Sequence, residues 1–417
     1  VNAVLKVISK RPMLYALIGV VVVLSVSRAI SHNNDITSAG TFGVTLRYAL
    51  PIAMCGLGGL YAERSGTVNI GLEGMMAAGT IFAGWWAWYF NPWMGLLGGL
   101  IGGMIFGLLH ALATVTFGVN HIVSGFAINI LAPGVARFMA GELFAQEPGG
   151  SITNSPGNKG RLPSFTMPVL SGGDLFGWKS PDVLGWFERR HWLLISDVAG
   201  ILRGLTRVVS LDVIIGIGLI VLGWAIIWHT PFGLRLRSAG EKPQAPDSLG
   251  VSVAKIRYAG MALSGAMAGF GGAILVMFVN RYQENLTQGK GFLGLATLVA
   301  GNYTTSGISV FAGLFGYATG VTFRNKPSEL VADLIWAAVF AFALAVIISL
   351  LRRSYVPMAV LLAVTALAWY GAATVQQPNN QVLYVFPYVV TLVVVAVRGG
   401  NLRAPAAEGI PYFRGQQ

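Results

Sequence analysis

The sequence predicts an all-α protein, a polytopic membrane helix bundle of about ten transmembrane helices plus a re-entrant or broken helical hairpin. Three observations carry that prediction. Of the 417 residues, 54% are hydrophobic and only 11% are Asp, Glu, Lys or Arg, whereas soluble domains carry about 25% charged residues. Glycine is abundant, at 55 residues, and small residues let membrane helices approach closely. Apolar runs near 13–30, 43–62, 70–90, 94–118, 120–140, 210–229, 258–279, 331–350, 355–375 and 381–397 approach the roughly 20 residues that cross about 30 Å of hydrocarbon.

Residues 1–140 hold the N-terminal membrane helices. The first run follows Lys6, Lys10 and Arg11 as a signal peptide's would. It is long for one and no small-x-small cleavage site follows, so a retained helix is expected. The stretch "LYAERSGTVNIGLEGMM", 60–76, sets Glu63, Arg64 and Glu73 against apolar sequence. Gly66, Gly71 and Gly74 fall within nine residues, poor material for a straight helix, so a helix break is expected at 63–70. Glu73 has two readings, a group facing a transport path or a buried structural acid. Asn129 and Asn302 likewise suit interhelical hydrogen bonding or substrate contact. "WWAWYFNPW", 85–93, reads as an interfacial aromatic belt ending in a turn.

Residues 141–209 form an extracytoplasmic insert. "EPGGSITNSPGNKGRLPS" is an irregular loop, and "LGWFERRHWLLISDVAGILRGL" has the composition of a helix on the membrane surface. A span at 210–229 leads to a cytoplasmic coupling loop, 230–257, in which "PQAPDSLG" forms a short helix with Asp247 near its start and Gly250 as its stop. That loop suits docking of a cytosolic partner, or is a basic loop that fixes topology. Residues 258–398 hold the C-terminal membrane helices. Within them 291–323, about 33 residues interrupted by "GNYTTSG", reads as a hairpin or re-entrant pair covered by protein or water. Residues 399–417 form a cytoplasmic tail. With both termini inside, fourteen of the 28 basic residues lie in the cytoplasm, in keeping with the positive-inside rule.

Several chemistries are missing. The net charge of +12 is assigned to those loops and not to nucleic acid. Cys55 stands alone, which excludes an intramolecular disulfide and a Cys-rich metal site. The sequence has no G-x-x-x-x-G-K-[ST] phosphate loop, no H-E-x-x-H, and only five histidines. Nothing nominates a nucleophile with its base, so a transport role is expected and an enzyme is not.

Four ordered motifs carry a resemblance. "YAERSGTVNIGLEGMM" is similar to the L-A-E-R-S-G-V-x-N-I-G-L-E-G-M signature of permease subunits from nucleoside-type ABC importers. These belong to the larger group of ribose and branched-chain amino-acid permeases. "FGLRLRSAGEKPQAPDSLGVSV", "ENLTQGKGFLGLATLVAGN" and "FPYVVTLVVVAVR…APAAEGIPYFRG" resemble later motifs of the same family. Lys242 and Pro246 depart from its commoner Asn and Ala, which shifts the start of the expected docking helix downstream. The insert 141–209 and the region 325–375 are longer than the family leads one to expect.

The resemblance implies an importer subunit with no cofactor of its own. ATP would be bound by separate cytosolic ABC ATPases docked at 241–250, with Arg235, Arg237, Glu241, Ala245, Asp247 and Gly250 as coupling residues. A second permease chain, the same or related, would complete the pathway through the membrane lipid. An extracytoplasmic substrate-binding protein or lipoprotein would deliver the cargo. Purine nucleosides such as guanosine are favoured, with Asn69, Glu73, Asn129 and Asn302 as pathway residues. A simple sugar or branched-chain amino acid is the runner-up cargo, and an ion-coupled secondary transporter a third reading.

Overall fold

The computed structural model describes residues 12–175, 177–324 and 403–413, with single helical positions at 346, 362, 366 and 370. The expected spans 331–350, 355–375 and 381–397 lie outside the described residues. The described residues fall into two compact units, one of 12–45, 165–209 and 317–324, the other of 46–164, 210–316 and 403–413.

The helices run in chain order as α1 (Pro12–Ser31), α2 (Ala39–Arg64), α3 (Leu72–Tyr89), α4 (Pro92–Ala111, continued by a π turn Leu112–Thr116) and α5 (His121–Phe144). There follow α6 (Val183–Glu188), α7 (Ile195–Thr206), α8 (Leu211–His229), α9 (Pro231–Glu241) and α10 (Gln244–Ser248). The last are α11 (Val253–Val279), α12 (Lys290–Ala300) and α13 (Thr305–Arg324). Six of the described helices are long and apolar enough to cross a membrane: α2, α4 with its π turn, α5, α8, α11 and α13. The run at 70–90 is helical as α3, which carries Glu73, three Trp and a Tyr and is not among those six.

The larger unit is built on α3, α4 and α11, whose backbones meet at glycines. A Cβ on Gly103 of α4 would stand 2.2 Å from the Gly265 carbonyl oxygen of α11. Such a seam replaces the hydrophobic drive that lipid cannot supply. Around it Leu72, Met75, Met76, Phe106, Met261 and Leu275 are buried together.

The hairpin expected at 291–323 breaks at "GNYTTSG", as read, but its halves are unequal. The eleven residues of α12 rise about 16 Å, too short to cross, whereas α13 is long enough. Between them Asn302 and Tyr303 both take positive φ, 53° and 57°.

Two expectations need correction. The loop 230–257 is largely helical: Thr230 caps α9 through Gly233 N–H (3.1 Å), and Pro231 occupies its first turn, where a missing N–H costs nothing. The short helix α10 does fall on "PQAPDSLG", with Asp247 in its first turn, and Gly250 (φ +78°) ends the turn behind it.

The surface helix read at 184–205 is two helices, α6 and α7, parted where His191 (φ 55°) and Leu194 (φ 66°) enter the left-handed region. Within the smaller unit α7 turns its small and polar residues inward, and Ser196, Asp197, Ala199, Gly200 and Gly204 are buried. Asp197 pairs with Arg28 Nε of α1 at 2.6 Å and accepts from the Thr37 hydroxyl at 2.6 Å. Arg203 joins α7 back to Asp182 and Glu188. Ile195, Val198, Leu202 and Leu205 point outward.

Candidate functional site

The expected break is real: α2 ends at Arg64 and α3 begins at Leu72. Seven residues of non-helical backbone inside an apolar bundle need partners for their N–H and C=O groups, and polar side chains supply them. The Ser65 and Thr67 hydroxyls both donate to the Ala62 carbonyl, at 2.6 and 2.9 Å. Gly66 takes φ +89°, a conformation an L side chain rarely adopts.

Val68 is held by two histidines. His110 Nε2–H donates to its carbonyl (3.1 Å), so His110 Nδ1 accepts from the Ser124 hydroxyl (2.7 Å). Val68 N–H donates to His121 Nδ1 (2.9 Å), which places that ring's proton on Nε2. The tautomer of His121 follows from that bond, and that of His110 is the one in which the Ser124 hydroxyl donates.

Three of the four pathway candidates gather here. Asn69 Oδ1 accepts from Gly71 N–H (2.9 Å), while its Nδ2 donates to Ser264 Oγ of α11 (2.8 Å). Asn129 of α5 accepts from Gly74 N–H (2.7 Å) and donates to the Ile70 carbonyl (2.9 Å). Glu73 reaches the N-terminus of α12, accepting Gly289 N–H on Oε1 (2.8 Å) and Gly291 N–H on Oε2 (2.6 Å). An acid there answers the orphan donors and the positive end of the helix dipole. Asn302 lies apart, in the α12–α13 turn, and accepts from Arg403 N–H (2.8 Å). Arg64 links that turn to the break by donating to the Tyr303 carbonyl (3.0 Å).

The coupling candidates lie at this same end of the larger unit. Glu241 stands 3.5 Å from Arg64. Arg64 and Arg237 both lie over the Trp228 ring, 5.5 and 4.7 Å from its centre. Asp247 accepts from the Tyr412 hydroxyl (3.0 Å). Arg235, Ala245 and Gly250 are exposed, and beside them Leu249 is 82% exposed. His110, His121, Ser124 and Ser264 were missed in the sequence, where their signal was a polar side chain within an apolar run, without any spacing to join them. The 403–413 segment reads there as tail and as part of a family motif, with no site residue named in it.

Glu408, from that segment, lies near Glu63 and Arg64. Burial pushes its carboxyl up to about 7 against the opposing pull of Arg64. A carboxyl so raised favours the docked segment while protonated. Docking is therefore strongest below the ordinary carboxylate range and weakens as pH rises through about 7. A spin label at Ala404→Cys should gain mobility between about pH 5 and pH 8, and Glu408→Gln should abolish that change. A pH response unaltered by Glu408→Gln would refute the assignment.

Among the described residues no three His, Cys, Asp or Glu side chains gather to hold a metal ion. Residues 42–319 match the family described as branched-chain amino acid transport system / permease component. The guanosine ABC transporter permease protein NupQ of Bacillus subtilis is 30% identical over 89% of this chain and 96% of its own. The nucleoside ABC transporter permease protein NupC of Lactococcus lactis is 31% identical over 75% of this chain and 93% of its own. A putative glucose ABC transporter permease protein of Haloferax volcanii is 27% identical over 71% of this chain and 80% of its own. No solved structure matches the chain.

Proposed function

Because the chain belongs to the branched-chain amino acid transport system / permease component family, we propose that it forms the membrane path of an ATP-driven importer of nucleosides, purine nucleosides such as guanosine favoured. The chain is an ABC permease and an integral membrane protein. The cargo is inferred from the two relatives named for guanosine and nucleosides. The relative named for glucose keeps a sugar as the second reading.

One observation carries the partner: α10 and its turn project an exposed Leu249 beside exposed Ala245 and Gly250. A lone large apolar side chain this open to solvent at the tip of an ordered turn suits a groove on another subunit. With no phosphate loop in the sequence, that subunit is a cytosolic ABC ATPase, docked on α9–α10 through Arg235, Arg237, Glu241, Ala245, Asp247 and Gly250. This end of the larger unit is then cytoplasmic, as are both termini. The 141–209 insert is extracytoplasmic, with the apolar face of α7 on the membrane and a substrate-binding protein or lipoprotein nearby. A second permease chain, the same or related, completes the pore. Asn69, Glu73, Asn129 and Asn302 shape the path by fixing the backbone at its breaks.

The test is uptake of labelled guanosine into vesicles that hold this chain with its co-expressed partners. ATP-dependent uptake, competed by adenosine but not by ribose, glucose or leucine, is expected. Leu249→Asp should abolish both uptake and co-purification of the ATPase. Competition by a sugar alone would move the cargo to the second reading, and uptake driven by an ion gradient without ATP would overturn the ABC mechanism.

A further inference from the structure

Segment 403–413 crosses the end of the larger unit where the coupling helices and the two helix breaks meet, and it bonds to each in turn. Arg403 N–H donates to Asn302 Oδ1 (2.8 Å), Ala406 N–H to Glu241 Oε2 (3.3 Å) and Ala407 N–H to the Gly240 carbonyl (2.8 Å). Gly409 N–H donates to the Gly66 carbonyl (3.1 Å), and the Ile410 carbonyl accepts from Arg257 Nη1 (2.9 Å). The Tyr412 hydroxyl closes the series on Asp247 Oδ2 (3.0 Å). Pro405 and Ala407 are buried beneath it.

α10 is five residues long and packs on α9, where the Arg64–Glu241 pair ties the end of α9 to α2 at 3.5 Å with its carboxylate half exposed. A pair so open on one side holds little. A displacement at the tip of α10 reaches the bundle first through α9. The segment offers a second and direct route, with one end on Asp247 of α10 and the other on Gly66 in the α2–α3 break and Asn302 in the α12–α13 turn.

We propose that 403–413 is a transmission strap, with Tyr412 and Arg257 as positioning residues that carry movement of α10 to both helix breaks. The proposal rests on the ABC reading above, in which an ATPase moves α10. The strap ties movement at that surface to the non-helical backbone, the part of the bundle best able to change φ and ψ. A cavity of about 120 Å³, lined by Asp247, Gly250, Ser252, Val253, Ala254 and Tyr412, lies beside the Tyr412–Asp247 bond. The link there is thus a hydrogen bond next to open space, and removing one hydroxyl tests it without disturbing a packed core.

In reconstituted vesicles Tyr412→Phe should leave the ATPase co-purifying and its hydrolysis within about two-fold. Guanosine carried per ATP should fall about five-fold or more, the range in which coupling between sites ordinarily lies. Uptake and hydrolysis falling in parallel, or an unchanged ratio both in Tyr412→Phe and in a chain ended at residue 402, would overturn the strap. A second measurement needs no ATPase, so it separates the strap from the functional reading. In the purified full chain Tyr412→Phe should speed amide exchange about five-fold at 66–69 as well as at 247–251. Acceleration confined to 247–251 would refute the strap whatever the cargo or energy source.

Discussion

Glu73→Ala is expected to destabilise the chain by about 2–6 kcal/mol, because it leaves two buried backbone donors without an acceptor, each at a cost of about 1–3 kcal/mol. Both bonds end on the backbone of 289–291, at 2.8 and 2.6 Å. Without them the first turn of α12 keeps orphan donors where water is scarce. The loss extends to Lys290, 4% exposed, whose ammonium would keep only Thr287 O and Gln288 Oε1 as hydrogen-bond acceptors, at 3.2 and 3.3 Å. Glu73→Gln retains one acceptor oxygen but turns an NH2 toward the other N–H, so it should fall between wild type and alanine. Thermal unfolding of the detergent-purified chain gives the order. If Glu73→Ala melted like the wild type and lost only uptake, Glu73 would be a group of the path and not a cap.

The 63–74 break was legible because three glycines and three charges in an apolar run leave few other structures. What the break is bonded to was not legible. Glu73 meets residues 289–291, more than two hundred positions away, and nothing in "GKGF" announces that a carboxylate accepts from its N–H groups. His110 and His121 looked like isolated histidines in two different helices, and only the fold brings them to the two sides of Val68. Thr230–Pro231 is a helix-start signal that the arginines behind it masked, since a basic stretch between spans reads first as a topology loop. The strap shows no periodicity, and Pro405, Gly409 and Pro411 read as tail. Most of its bonds use backbone groups that every residue has, so composition could not announce them. Likewise nothing in His191 or Leu194 signals positive φ, and the helix read across them was too long.

Gly269→Ala is expected to cost more than about 3 kcal/mol, at or beyond the upper end of ordinary overpacking. At Gly269 an added Cβ would lie 2.2 Å from the Gly99 carbonyl oxygen and 2.8 Å from Gly103 Cα, while one on Gly79 of α3 would lie 2.4 Å from Gly269 Cα. Every one of these obstacles is backbone, so no rotamer change relieves the clash, and in Gly269→Ala α4 has to move away from α11. Movement would open the seam that holds the larger unit together, and lipid offers no hydrophobic drive to close it again. Gly218→Ala on α8 is the matched control, because nothing lies within 4 Å of its added Cβ. There the same methyl only reduces backbone freedom and should stabilise the chain by about 0.5–1 kcal/mol. Size-exclusion profiles and melting curves of the two variants should therefore move in opposite directions from the wild type. Equal melting of Gly269→Ala and the wild type would mean that α3, α4 and α11 do not meet backbone to backbone, and the packing that sets the α2–α3 break in place would need another source.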